Sequence, residues 1–203
     1  MTPQNLTWRI LPPDELTKVY MDEMRRDFPQ SELKPLSMIL DSEAAGNAHT
    51  WGVFEGETLI AYLLMVCPQG SELSLLDYFA VLPAYREGGI GAKLLAELPA
   101  KEPNADAIII ESECPEKADD EAMAVRRLGF YARCGAKDTA WTEHLFDAWF
   151  RILVMPCSGK AVKPYFELAK DLAEMYRAVI SEDKWHQYVQ FYAPDGKEET
   201  FGF

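Results

Sequence analysis

The residues best suited to chemistry cluster between Leu76 and Leu95. An apolar run, Leu76-Asp77-Tyr78-Phe79-Ala80-Val81, passes through Leu82-Pro83-Ala84-Tyr85-Arg86 into Glu87-Gly88-Gly89-Ile90-Gly91 and then Ala92-Lys93-Leu94-Leu95. The local reading is strand, turn, glycine-rich loop and helix. Glycines adopt positive φ and let an anion approach the backbone, while a helix start supplies unpaired N–H groups and a favourable dipole. Phosphate is the ligand such a loop suits, and it needs little help from basic side chains. A Walker A loop would end Gly-Lys-Ser/Thr, whereas Gly91 is followed by Ala92-Lys93-Leu94. A dinucleotide fingerprint begun at Gly89 and Gly91 would need a third glycine where Leu94 stands. It would also follow its strand directly, without the intervening Leu82–Gly88. Both nucleotide readings fail.

A second group lies on Ala107–Glu113, where Ile108-Ile109-Ile110 reads as a buried strand. Period-two alternation puts Glu111 and Glu113 on one face, opposite Ile108, Ile110 and Ser112. Two carboxylates in a mostly apolar strand are costly unless solvated, paired or functional. Other reactive residues form no pattern. Cys67, Cys114, Cys134 and Cys157 contain no C-x-x-C pair, and His49, His144 and His186 have no metal-ligand spacing. No metal site or disulfide framework is expected, and the cysteines read as reduced, mostly buried thiols. Cys114 and Cys134 have no histidine nearby in sequence to activate them.

The elements that must position these residues read in order. Leu6 to Leu11 is a short strand stopped by Pro12-Pro13; Asp14 then caps a helix with Leu16, Val19, Tyr20, Met24 and Phe28 at helical spacing up to Pro29. A helix from about Leu33 to Ala45 ends at Gly46-Asn47. Trp51 to Phe54 and Leu59 to Val66 form a hairpin around Glu55-Gly56-Glu57. Leu73 to Val81 is a strand, Gly91 to Leu98 a helix ended by Pro99, and Asp120 to Arg133 another helix. Phe150 to Met155 reads as a strand. Tyr165, Leu168, Ala169, Leu172, Tyr176, Val179 and Ile180 mark an amphipathic helix, and Tyr188 to Tyr192 a final strand. Hairpins alternate with crossovers, so the fold class is mixed α and β rather than a purely parallel sheet.

The chain has 203 residues, 48% hydrophobic and 12% aromatic, which fills a sizeable core and excludes intrinsic disorder. A net charge of −13 opposes nucleic acid and anionic membrane surfaces as partners, and tilts the expectation toward a cationic small molecule or basic peptide. No apolar run is long enough to cross a bilayer, and the first residues lack a signal-peptide pattern. A cytoplasmic protein is expected.

Val81-Leu82-Pro83-Ala84-Tyr85-Arg86 followed by Gly89-Ile90-Gly91 resembles the acetyl-CoA-binding motif of the GNAT family of N-acetyltransferases, whose signature is Arg/Gln-x-x-Gly-x-Gly/Ala. The later strand Ile108–Glu113 and the element Leu128-Gly129-Phe130-Tyr131-Ala132-Arg133-Cys134-Gly135-Ala136 also follow in that family's order. By element order the resemblance covers about Leu6 to Asp147; its specific motifs lie between Leu76 and Ala136. It departs from the family pattern in three respects, one being that Cys114 to Asp120 sets Tyr131 farther from the strand than usual. Glu87 stands where relatives usually carry glycine, and Cys114 to Asp120 lacks the asparagine that often contacts the pantetheine.

The resemblance implies a GNAT fold: a mixed, mostly antiparallel sheet with helices on both faces, residues 1–150 forming the domain and 151–203 a strand-helix extension. It implies that backbone amides of Arg86, Glu87, Gly88, Gly89, Ile90 and Gly91 hold the pyrophosphate of coenzyme A. Phe79, Ala80 and Val81 would line the pantetheine arm, with an N–H near Ala80 or Val81 holding the oxyanion. The expected reaction is acetyl transfer from acetyl-CoA to a primary amine by direct attack in a ternary complex. Tyr131 matches the general acid of many relatives: a phenol with an ordinary pKa near 10 stays protonated and can donate to a departing thiolate. For the base, Glu111 matches a glutamate used by some relatives and Asp77 an acidic position used by others; Glu113 and a water chain are alternatives. A homodimer is compatible with the family. The competing reading from another class is an acyl-CoA-binding sensor of the same fold that lacks turnover.

Overall fold

The computed structural model describes residues 5–30, 32–86, 88–157, 159–180 and 182–202. The chain divides into two compact units, Met1–Leu95 and Ala96–Phe203.

In the first unit, β1 (Leu6–Ile10), β2 (Ala48–Glu55), β3 (Thr58–Val66) and β4 (Leu73–Val81) pair antiparallel in chain order. Gly56, at φ 60°, turns the β2–β3 hairpin, as its position between two apolar runs requires. Helix α1 (Pro13–Val19) continues through a π turn, Tyr20–Met24, into the short α2 (Arg25–Asp27). Pro12 holds the N-cap position, so Asp14 lies in the first turn rather than capping it. There its charge still complements the helix dipole. The next helix, α3, spans Leu36–Ala44, shorter than its apolar pattern because Pro35 sets the start. The apolar positions of α1 and the π turn, Leu16, Val19, Tyr20 and Met24, pack with Tyr62, Leu64 and Tyr78 in one buried cluster. β4 is buried at its start and half-buried from Phe79 to Val81, so its last residues are the accessible part of the strand.

The second unit holds β5 (Ala107–Glu113), β6 (Lys137–Leu145), β7 (Ala148–Pro156), β8 (Val189–Tyr192) and β9 (Glu198–Glu199), in the spatial order β5-β7-β6-β8-β9. Each of these pairs is antiparallel. Helix α4 (Ile90–Lys101) contains the division between the units and runs past Pro99, which the sequence pattern takes as its end. Helix α5 (Glu121–Arg133) is capped by Asp120, whose Oδ1 accepts from the Met123 N–H at 2.9 Å, and the chain leaves it through Gly135 at φ 97°. Helix α6 (Tyr165–Arg177) buries Leu168, Ala169, Leu172, Ala173 and Tyr176, the apolar stripe of the sequence. It stops before Val179, which is 63% exposed. Helix α7 (Glu182–Tyr188) precedes β8.

Strand β6 and helix α7 are absent from the sequence reading. In β6 the buried positions are Thr139, Trp141 and Glu143, so a charged residue occupies an inward position. The register also shifts between Asp138 and Thr142, where Ala140 sits at φ 62° and donates its N–H to Asp138 Oδ1 at 2.7 Å. A bulge and a buried acid together erase the alternation that identifies a strand. Strand β7 lies between β5 and β6, so the segment beyond residue 150 is woven into this unit's sheet.

Candidate active site

Strand β4 delivers the chain to the glycine loop. After Val81, Leu82 donates its N–H to the Ile60 carbonyl, and Pro83–Tyr85 form one 3₁₀ turn. Gly88 and Gly89 then adopt φ 102° and 76°, and α4 begins at Ile90. Two successive left-handed residues turn the chain so that it enters the helix with its first N–H groups open, since a first turn has no preceding carbonyls to bond them. Among the described residues an added Cβ at Gly89 would meet nothing within 4 Å; the glycine is there for its φ and for open approach, not for packing. Glu87 lies outside the described residues.

The Arg86 side chain is tied back to the protein. Its Nε donates to the Val81 carbonyl at 2.9 Å and its Nη2 to Asp27 Oδ1 at 2.7 Å. Asp27, with a side chain only 4% exposed, also accepts from the Tyr62 hydroxyl at 3.0 Å and from Arg26. The Tyr62 phenol is pushed up, first by burial and then by Asp27, so it stays a donor. Arg86 therefore ties the loop to α2 and, through Asp27 and Tyr62, to β3. Asp27→Ala removes this node and leaves the fully buried Tyr62 hydroxyl without its acceptor. A loss of about 3 kcal/mol in urea unfolding is expected, because an orphaned buried donor and a lost charge-assisted bond each cost on the order of 1–3 kcal/mol. Unchanged stability would mean that the Asp27 node does not hold the loop.

Tyr131 lies on α5, half-buried, with the Phe130 ring 5.4 Å away. Burial raises its pKa above the ordinary tyrosine value, outweighing the opposing charge of Arg127. Among the described residues its hydroxyl has no hydrogen-bond partner, so a protonated phenol is left available. Arg126 and Arg127 are exposed, Arg127 pairing loosely with Glu113 at 3.6 Å.

The carboxylates are distributed unequally. Asp77 is ion-paired with Lys34 at 2.7 Å, so accepting a proton there means displacing a lysine. On β5, Glu111 pairs across to Ile152 and Glu113 to Phe150; Glu143 on β6 faces that same Phe150. Residues directly opposite share a face, so all three acids project to one side of this sheet. Glu111 is half-buried and accepts from the Tyr176 hydroxyl of α6 at 2.5 Å. Glu143 is fully buried, and neither of its oxygens finds a donor among the described residues. Its pKa is raised well above the ordinary carboxyl value, first by desolvation and then by the Glu111 charge and contact. Glu143, Tyr176 and Asp27 are not among the candidates of the sequence reading; local spacing does not single out Glu143, because the bulge at Asp138–Thr142 breaks the alternation around it.

Burial pushes the Cys114 and Cys134 thiols up, and Cys114 donates to Glu116 at 3.0 Å. Among the described residues no cluster of three or more His, Cys, Asp or Glu could hold a metal, and no helix is long and apolar enough to cross a membrane.

Residues 46–135 match the family model of the acetyltransferase (GNAT) domain. Among curated proteins none matches the chain. Among solved structures, a GNAT-family protein from Bacteroides thetaiotaomicron is similar over 86% of this chain and 99% of its own, with 21% identity and a TM-score of 0.61. The ribosomal-protein-S18-alanine N-acetyltransferase from Escherichia coli is similar over 77% of this chain and 97% of its own, at 17% identity and a TM-score of 0.57. Spermidine N-acetyltransferase from Vibrio cholerae, solved with CoA and spermine, is similar over 79% of this chain and 98% of its own, at 12% identity and a TM-score of 0.56. The chain has the GNAT fold, and its residues 46–135 are similar to the acetyltransferase (GNAT) domain.

Proposed function

We propose that this protein transfers the acetyl group of acetyl-CoA to the nitrogen of a primary amine by direct attack in a ternary complex. The observation that carries the reading is the loop at Gly88–Gly91, two left-handed glycines opening a helix N-terminus with Arg86 braced away from the backbone. The backbone of Arg86 to Gly91 binds the pyrophosphate of coenzyme A, and the half-buried Phe79, Ala80 and Val81 take the pantetheine arm. A relative of the same fold is solved with CoA, which supports the same cosubstrate here.

The chemistry divides among three needs: an amine freed of its proton, a stabilised oxyanion and a protonated leaving thiolate. Tyr131, without a hydrogen-bond partner among the described residues and kept protonated by burial, donates to the thiolate sulfur. Glu111, reaching solvent from the sheet face, takes the amine proton; Asp77 is the second candidate but is held by Lys34. The acceptor is a cationic amine, small molecule or peptide. The net charge of −13 favours it, and spermine, bound by the relative of like fold, is of that kind. Four free cysteines fit a reducing compartment, the cytoplasm.

Thiol release from acetyl-CoA tests the reaction against a panel of spermine, ethylamine, a lysine peptide and a peptide with a free N-terminal alanine. Amine-dependent release with a mass gain of one acetyl group on the amine is expected. Release that proceeds equally without amine would contradict the transfer.

A further inference from the structure

The feature that this reaction leaves unused is the acid behind Glu111. Glu143 is fully buried, carries a carboxyl with no N–H or O–H donor to either oxygen among the described residues, and stands against the Glu111 carboxyl. A buried acid in that condition costs stability, and an apolar side chain of similar size would pack there without the cost. Two carboxyls in contact bond only when one of them holds a proton. The groups around the pair decide which one. Tyr176 on α6 donates to Glu111 Oε1, which favours charge on Glu111. The residues paired with Glu143 on β7 and β8, Phe150 and Phe191, carry no charge. Arg151 belongs to the opposite face of β7, facing Ser112 and Thr142 and pairing with Glu116 and Asp138. The titratable residues Glu182, Asp183, Lys184 and His186 of α7 are exposed. Burial separates the partners as well: Glu143 is sealed, whereas Glu111 is half-buried and can exchange its proton.

We propose that Glu143 and Tyr176 are positioning residues that grip Glu111 from two sides, one neutral acid and one phenol each donating a hydrogen bond, and so hold it anionic and oriented as the proton acceptor of the transfer reaction. The role rests on the amine-transfer reading above. In the step, the ammonium of the acceptor gives one proton to the Glu111 carboxylate, directly or through a water. The freed nitrogen lone pair attacks the thioester carbonyl; as the tetrahedral intermediate collapses the C–S bond breaks, the departing sulfur takes the Tyr131 proton, and the nitrogen's second proton passes through water to restore the phenol. Glu143 keeps its own proton throughout, and Glu111 returns the acquired one to solvent through its exposed edge. The direction of the Glu143 shift agrees, since burial and the Glu111 charge both favour its neutral form. The strand-helix segment after residue 150 thereby contributes to the chemistry through Tyr176.

The test compares three variants, using acetyl-CoA and whichever panel amine the wild-type protein turns over fastest. Glu143→Gln keeps a donor of the same shape and keeps kcat, KM and the acid limb of the kcat profile close to wild type. Glu143→Leu removes the donor: kcat falls about tenfold or more with KM nearly constant, a loss in the range for a displaced acid–base group. Its acid limb moves to higher pH, because Glu111 has lost a bond that favoured its charged form. Tyr176→Phe moves both readouts in the same direction. Folding is not the cause, because Glu143→Leu should melt higher than wild type at pH 8. A carboxyl whose folded pKa is raised contributes fully below its unfolded value, near 4.5, and loses that contribution as pH rises through the folded value. The stability gap should therefore close toward pH 4.5.

An infrared spectrum at pH 8 gives a readout besides activity. Wild type should show the carbonyl stretch of a protonated carboxylic acid, sensitive to deuterium, that Glu143→Gln lacks. Absence of that band in wild type would overturn the proposal. So would a Glu143→Leu enzyme with unchanged kcat and an unmoved acid limb, which would leave the amine-transfer reading standing. Wild type that turns over no amine would remove the transfer reading and this role together.

Discussion

Replacing Tyr131 with phenylalanine is expected to lower kcat by about 100-fold or more while changing acetyl-CoA affinity less than about threefold, the span general acid catalysis commands. The substitution deletes one oxygen that has no hydrogen-bond partner among the described residues, so no internal bond is broken and the ring keeps its place beside Phe130. What disappears is the proton for the leaving thiolate. A free thiol has a pKa near 8.5, so at neutral pH it leaves best as it is protonated, and water must substitute when the phenol is gone. The variant also separates catalysis from sensing. An acyl-CoA sensor of the same fold would have no rate to lose, and Tyr131→Phe would change nothing measurable in it. A catalytic protein whose kcat is unaffected by the change would place the acid elsewhere.

Gly89→Val should weaken acetyl-CoA binding by tenfold or more, equivalent to about 1.4 kcal/mol, while the melting temperature drops only modestly. Gly89 holds φ 76°, a conformation that costs an ordinary L-residue roughly 1–2 kcal/mol and a β-branched one more. Among the described residues nothing lies within 4 Å of the added Cβ, so the fold tolerates the side chain. The damage falls on the loop: its backbone relaxes away from the geometry that opens the α4 N–H groups, and the valine occupies the space an anion would enter. Equilibrium titration of the variant with acetyl-CoA and a thermal melt measure both sides. Affinity equal to wild type would mean that the loop does not carry the phosphates.

The glycine loop was legible because its physics is local. Glycine types, the apolar run before them and the helix after them sit within twenty residues, and each demands its own conformation. Strands β4 and β5 were legible for the same reason, and Glu111 and Glu113 share a face as their spacing requires. The rest of the site is held together by contacts that spacing does not encode. Asp27 meets Arg86 across 59 residues of chain, and nothing at the end of a short helix announces a node of that kind. Tyr176 looks like one more apolar position in the α6 stripe; only its hydroxyl, aimed at Glu111 65 residues earlier, distinguishes it. Glu143 was hidden twice, by the bulge at Asp138–Thr142 and by its charge, which reads as a surface residue in any polarity pattern. Likewise the π turn at Tyr20–Met24 preserves helical spacing well enough to be read as ordinary helix.

Calorimetric titration of the wild-type protein with acetyl-CoA, free coenzyme A and NAD tests the central claim most directly. All three carry a pyrophosphate joined to adenosine, so discrimination would report the proposed pantetheine track along Phe79–Val81 as well as the loop. The account predicts micromolar binding of both coenzyme A species and no heat with NAD. No binding of either coenzyme A species, or equal binding of NAD, would contradict it.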